Sequence, residues 1–212
     1  MDILWHGRTS FTIKGKSATV ILDPHDGTGF PKAKLRGQVV ISSLKSSDAK
    51  MLEVDGSEKV FDAPGEYECG GVPMHGIQTW EAGGKKSDEK KKITAFVFEV
   101  DGIKICHLGA LEETLSENVI EAIGNVDILL IPVGGKQTLD AKKAHGLVEE
   151  IEPRIVIPMF HKVDGEKLEI ASVDPFLKEV GSKAQPVEKF SVDSKSKLPQ
   201  DHEEYVVLMP VG

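Results

Sequence analysis

The chain has 212 residues, 40% hydrophobic and 28% charged, with a formal net charge of −8, and this balance predicts one soluble globular domain spanning residues 1–212. The acidic charge argues against nucleic acid as a partner, and two cysteines are too few for a disulfide framework. No apolar run reaches the roughly 20 residues of a membrane span, and residues 1–5 lack the basic-then-apolar layout of a signal peptide, so we expect a cytoplasmic protein without a membrane partner.

Short strand patterns fill the first half of the chain. Residues 10–13 and 18–22 are apolar runs separated by a turn that contains Gly15, which predicts a β-hairpin. Residues 39–41 form a short apolar run before a polar stretch, the pattern of a strand buried on both faces. Residues 94–107 carry Asp101-Gly102 between two apolar runs, a strong hairpin signal.

Helix patterns alternate with strands in the second half. Thr114 and Glu117 fit a capping box, which predicts that a helix begins after Thr114. Residues 140–151 have apolar positions near one face and predict a second helix. Asp174 as N-cap with Pro175 at the first helical position predicts a third. Buried strands are expected at residues 39–41, 96–98, 128–131 and 155–157.

Six motifs follow one another along about three quarters of the chain: WHGRTSF at 5–11, ILDP at 21–24, PGEYE at 64–68, ICHLG at 105–109, DILLIPVGG at 127–135 and IVIPM at 155–159. Together they resemble the metallo-β-lactamase superfamily, and within it the small-domain branch related to ascorbate-6-phosphate lactonases, which are Zn-dependent hydrolases. The resemblance implies an α/β (α+β) fold of the αββα type, a four-layer sandwich with two mixed sheets face to face.

The resemblance also implies a metal motif directly after a buried strand. In the family this motif is His-x-His-x-Asp-His, and neutral imidazoles in such a cluster suit zinc. Carried over, the three His positions become Ser43, Lys45 and Asp48, and the Asp position becomes Ser47. A protonated lysine repels a divalent cation, so the motif is degenerate in this chain.

The family's later ligand positions differ as well. They fall at Glu81, at Ala110 and at Phe160, with His161 displaced by one residue. The N-terminal Gly-His-Ser of this branch becomes Gly7-Arg8-Thr9. The resemblance therefore implies a fold that has kept its sheets and lost its metal ligands.

Three functional hypotheses follow. The leading one is a non-catalytic protein without a cofactor, which binds an unknown small molecule or protein and whose oligomeric state is open. The alternative is a Zn-dependent hydrolase of a small ester, lactone or phosphoester. Its rebuilt site would draw on His107, His161, Asp48 and Glu81, and Arg8 is a further candidate residue at this alternative site. The third is a metal-free hydrolase in which Lys45 activates Ser43 or Ser47. A purely structural role is the plainer interpretation of His107 and His161.

Two structural expectations accompany the leading hypothesis. Arg8 or Lys45 should pair with a carboxylate where a metal would otherwise lie, since an unpaired buried charge is costly. The candidate carboxylates are Asp23, Asp48 and Glu81. The ring of Phe160 should be buried and partly fill the pocket.

Overall fold

The computed structural model describes residues 1–25, 34–45, 50–57, 59–81 and 91–211. Its strands are β1 Asp2–Trp5, β2 Phe11–Lys14, β3 Thr19–Leu22, β4 Leu35–Arg36, β5 Val39–Ile41, β6 Val54–Asp55, β7 Val60–Phe61, β8 Gly65–Cys69, β9 Val72–Glu81, β10 Lys91–Val100, β11 Ile103–His107, β12 Ile128–Pro132, β13 Ile155–Met159, β14 Phe190–Ser191 and β15 Glu204–Tyr205. Its helices are α1 Glu117–Ile123, α2 Ala141–Ile151 and α3 Asp174–Glu179, with a short 3₁₀ turn at Lys195–Lys197.

The strands form two large mixed sheets. The first has six strands in the order β14-β1-β2-β3-β5-β7, and the second has seven in the order β15-β13-β12-β11-β10-β9-β8. A small pair, β4 and β6, stands apart. β3, β5 and β7 run parallel in the first sheet, and β11, β12, β13 and β15 run parallel in the second. The carboxyl ends of parallel strands meet at one edge of a sheet, where polar loop residues can gather.

The core lies between the two sheets. One continuous cluster combines residues of the first sheet, such as Trp5 and Phe11, with residues of the second, such as Phe96 and Ile157. The helices cover the outer face of the second sheet, and residues 51–54 pack on the outer face of the first. The predicted sandwich of mixed sheets is confirmed, whereas the expectation of one domain over residues 1–212 stays a prediction.

The hairpins and buried strands expected from the sequence are present. β2 pairs antiparallel with β3, and β10 pairs antiparallel with β11. Asp101 and Gly102 both have positive φ, 52° and 79°, as a tight two-residue turn requires. β5, β12 and β13 are buried throughout.

Two helix starts differ from the prediction. α1 begins at Glu117 after an extended Ser116, so no capping box forms from Thr114. Val173 is the N-cap of α3, because the Asp174 side chain accepts a hydrogen bond from the Ser172 hydroxyl instead. Residues 46–49, in the polar stretch after β5, lie outside the described residues. No helix in the described part of the chain is long and apolar enough to cross a membrane.

Candidate functional site

Three buried polar residues meet where the two sheets come together. Asp23 directly follows β3, Ser43 lies two residues after β5, and His107 ends β11. Asp23 and His107 are fully buried, and Ser43 is almost so. We call these three residues the junction, because they link the carboxyl ends of strands from both sheets.

The Asp23 carboxylate holds the junction together. Its Oδ1 accepts a hydrogen bond from the Ser43 backbone N–H at 2.6 Å, and its Oδ2 accepts one from the Ser43 hydroxyl at 2.6 Å. His107 Nε2 lies 2.9 Å from the same Oδ2 and donates to it. Burial alone would raise the pKa of Asp23, but its interactions with His107 and His25 outweigh this effect, and the pKa lies well below its ordinary value. Asp23 is therefore a buried anion.

The imidazoles beside Asp23 keep nitrogens that bind nothing within the described residues. His107 Nδ1 is buried without a hydrogen-bond partner there, and so are both ring nitrogens of His25. His25 Nε2 lies 3.5 Å from Asp23 Oδ1, too far for a good hydrogen bond. Buried polar atoms are nearly always paired in native proteins, so unpaired ones call for an explanation such as an ion or substrate.

Glycine at position 109 allows the junction to close. Its φ is +59°, and a Cβ placed there would lie 2.6 Å from the Ser43 Cβ. The Thr94 backbone N–H also donates to the Ser43 carbonyl at 2.8 Å, which ties the loop after β5 to β10. A larger residue at 109 would push Ser43 away from Asp23.

His161 lies at the same edge of the second sheet, just beyond β13 and two strands away from His107. Its ring is 4.9 Å from that of Trp5, and its Nδ1 donates to the Lys162 carbonyl at 3.4 Å. Burial lowers the pKa of His161 to about 4, so the ring is neutral at pH 7. Its Nε2 is buried with no partner that the described residues supply. Phe160 is buried, as expected, with φ 53°; the filling of a pocket by its ring stays a prediction.

Arg8 pairs with an acid that the sequence did not suggest. Its Nε and Nη2 donate to the two oxygens of Glu166, each at 3.0 Å. The Glu166 side chain is 1% exposed. Burial raises the pKa of Glu166, but hydrogen bonds from Arg8 and from the backbone outweigh this effect. The pKa therefore lies below its ordinary value. The expected partner Asp23 is not used, because Ser43 and His107 already occupy its oxygens.

The remaining predicted positions are Lys45, Ser47, Asp48, Glu81 and Ala110. Lys45 is exposed and Ala110 is buried. Ser47 and Asp48 lie outside the described residues, and Glu81 ends β9 with a side chain that is also outside them. The Ser43 hydroxyl donates to Asp23, which argues against its activation by Lys45, whereas the same hypothesis for Ser47 stays a prediction because Ser47 lies outside the described residues.

Sequence reasoning missed His25 and gave Asp23 only a role as an ion-pair partner. The signal was present, because Asp23-Pro24-His25 follows the apolar strand β3 directly. Polar residues at the end of a buried strand are held rigidly while remaining near the surface. From the sequence, only the polar stretch after β5 was expected to form such a site.

Comparison with known proteins establishes the family. The sequence model of the β-lactamase superfamily domain matches residues 2–160. The chain belongs to the metallo-β-lactamase superfamily. A crystal structure from Thermotoga maritima, of a superfamily protein named as a Zn-dependent hydrolase, has a TM-score of 0.78 and 30% identity. The alignment covers 98% of this chain and 97% of that one.

Sequence relatives agree with this superfamily assignment. A UPF0173 metal-dependent hydrolase from Pyrococcus abyssi is 30% identical over 169 residues, which covers 77% of this chain and 72% of the relative. Another, from Thermococcus onnurineus, is 27% identical over 169 residues, covering 71% and 74%.

These relatives contradict two predictions made from the sequence. The non-catalytic role and the absence of a cofactor are both wrong, because the similar superfamily proteins are named metal-dependent or Zn-dependent hydrolases. The leading hypothesis took the loss of the family motif as the loss of all metal ligands, although the alternative already named His107 and His161 outside that motif. The imidazole nitrogens without partners at His25 and His107 lie outside that motif.

The donor set of this superfamily site fits a metal ion in part. A neutral imidazole nitrogen with a free lone pair is a good ligand for zinc, and His107 Nδ1 has that chemistry. Its Nε2–H is held by a carboxylate, the usual arrangement around a metal-binding histidine. Within the described ranges, however, no three His, Cys, Asp or Glu side chains are grouped as a metal site requires.

Proposed function

We propose that this superfamily member is a metal-dependent hydrolase of a small ester, lactone or phosphoester, with ligands that differ from those of the family motif. The observation that carries the proposal is the set of buried imidazole nitrogens beside Asp23 that bind nothing within the described residues. The names of the relatives support the reaction class. We also propose a cytoplasmic location.

Two histidines would hold the metal. His107 would offer Nδ1, and His25 would offer either ring nitrogen. Any third protein ligand would have to come from outside the described residues, where Asp48 lies in the sequence. A bound zinc ion supplies a hydroxide near neutral pH, because it lowers the pKa of its water.

The surrounding residues orient and shield this pair. Asp23 fixes the direction of the His107 ring through Nε2. The Phe11 ring meets His107 edge-on with 6.2 Å between centroids, and Phe11 is fully buried. An apolar wall of this kind keeps bulk water from the inner side of the site and strengthens electrostatic interactions there.

Metal content and thermal stability test the proposal directly. Untagged protein purified without chelator should contain zinc, manganese or iron by mass spectrometry. Zinc added at about one hundred times its dissociation constant should stabilise the metal-free protein by about 2.7 kcal/mol, a rise of several degrees in melting temperature. His107→Ala and His25→Ala should abolish this rise together with hydrolysis of p-nitrophenyl esters, a simple lactone or bis(p-nitrophenyl) phosphate.

His145→Ala is the matched control. His145 lies on α2, where its ring nitrogens are 4.0 Å from Glu149 and from Glu179. This variant should keep both the metal response and the activity. Protein that contains no metal, gains no stability from added metal and hydrolyses none of these probes would overturn the proposal.

A further inference from the structure

The buried Asp23 carboxylate has a fixed acceptor pattern. A carboxylate can only accept hydrogen bonds, so the ring nitrogen that contacts it must carry the hydrogen. His107 Nε2 lies 2.9 Å from Oδ2, and Nδ1 is buried with no partner among the residues that the structure describes. A neutral His107 therefore carries its hydrogen on Nε2 and its lone pair on Nδ1.

We infer that Asp23 is a positioning residue that fixes the tautomer of His107, with the hydrogen on Nε2 and the lone pair on Nδ1. Asp23 acts through His107 and needs no contact with a substrate. The tautomer follows from the contacts alone, whereas its use in metal binding rests on the proposed function. The inference thus adds a role to the site that none of the family ligand positions covers.

Substitution by asparagine should reverse the tautomer. The Ser43 backbone N–H points at Oδ1 at 2.6 Å, so an asparagine at 23 must keep its oxygen on that side. Its amide NH₂ group then takes the place of Oδ2 and faces His107 Nε2 and the Ser43 hydroxyl. An amide donor requires an acceptor, so Nε2 loses its hydrogen and Nδ1 gains it. The lone pair then lies on Nε2, facing the amide of residue 23, and Nδ1 can no longer bind a metal ion.

Two further variants separate this effect from general loosening of the junction. Ser43→Ala removes the hydroxyl bond to Oδ2 but leaves the carboxylate and its bond to His107. The Ser43→Ala variant should keep the wild-type tautomer. Asp101→Asn changes another carboxylate that accepts backbone hydrogen bonds, from Lys16 and Ser17 on an exposed hairpin, and should leave His107 unaffected.

The experiment is a long-range ¹H–¹⁵N correlation spectrum of the histidine rings in the metal-free, ¹⁵N-labelled full chain. Signals of His107 are assigned by their loss in His107→Gln. The wild-type ring should show a protonated Nε2 and an unprotonated Nδ1, and Asp23→Asn should show the opposite pattern. Zinc affinity, measured on the same proteins by titration, should fall about 10–100-fold in Asp23→Asn and be unchanged in Asp101→Asn.

The ring spectrum tests the role of Asp23, and the zinc titration tests the proposed function. A wild-type spectrum of the neutral ring with a protonated Nδ1 and an unprotonated Nε2 would overturn the inference even if Asp23→Asn does not fold. An Asp23→Asn spectrum identical to wild type would overturn it as well. The predicted tautomers without any zinc binding would uphold the role of Asp23 and count against the proposed function alone.

Discussion

Two buried carboxylates near the edge of the sandwich are neutralised in different ways. Glu166 meets an arginine that is always charged, which donates to both of its oxygens, and the Leu168 N–H donates as well. Asp23 meets Ser43 and His107, and the imidazoles beside it keep nitrogens that bind nothing within the described residues. In the Arg8–Glu166 ion pair both carboxylate oxygens accept hydrogen bonds, and the pair stabilises the fold. The imidazoles beside Asp23 keep nitrogens that can still bind another atom. The following predictions test this contrast.

The largest effect is expected at the Glu166 pair. Arg8→Ala leaves a carboxylate with a 1% exposed side chain uncompensated, and breaking such a pair costs about 3–5 kcal/mol of unfolding free energy. Urea denaturation measures the loss. Lys136→Ala is the control, because its 3.4 Å pair with Glu169 is exposed and contributes about 0–1 kcal/mol.

A second change separates the lost charge from lost packing. Adding Glu166→Gln to Arg8→Ala removes the unpaired charge and keeps an acceptor for the Leu168 N–H. The double variant should be more stable than Arg8→Ala alone. The idea of a closed pair fails if Arg8→Ala costs no more than Lys136→Ala.

The next effect concerns the junction. Gly109→Ala combines a positive φ, costing about 1–2 kcal/mol, with a Cβ that lies 2.6 Å from the Ser43 Cβ, which adds about 1–3 kcal/mol. We expect a total loss of about 2–5 kcal/mol by urea denaturation, together with a changed His107 ring signal. Gly102→Ala has a similar φ of +79° but meets no atom within 4 Å, so only the backbone cost should appear. Equal losses in the two variants would show that Ser43 is not displaced.

The smallest effect is the pH dependence from His161. Its pKa falls from 6.5 to about 4 on folding, so the unfolded chain binds more protons between these values. Stability should therefore decrease as the pH falls, by about 2 kcal/mol between pH 7 and pH 5. His161→Phe should remove that part of the slope. The contribution of the Arg8–Glu166 pair to stability should not change between pH 7 and pH 5, because the pKa of Glu166 is lowered from 4.5. A slope that persists unchanged in His161→Phe would contradict the burial effect.

The candidate site was predictable only in part. His107 and His161 stood out because each follows a buried strand whose pattern is local. Arg8 was expected to pair with an acid, but the acid is Glu166, which is 158 residues away. The Asp23–His107 contact joins residues 84 apart, and no local pattern connects them.

Local residue patterns were enough to predict the strands, the hairpins and the family. Alternating apolar residues and an Asp-Gly turn fix β10 and β11, because strand periodicity and turn chemistry depend on neighbouring residues. Only the tertiary structure decided which polar side chains meet. Asp23 can accept from His107 because β3 and β11 belong to different sheets whose packing brings their ends together. That packing depends on apolar burial summed over both sheets, and so it cannot be read from the residues around either side chain.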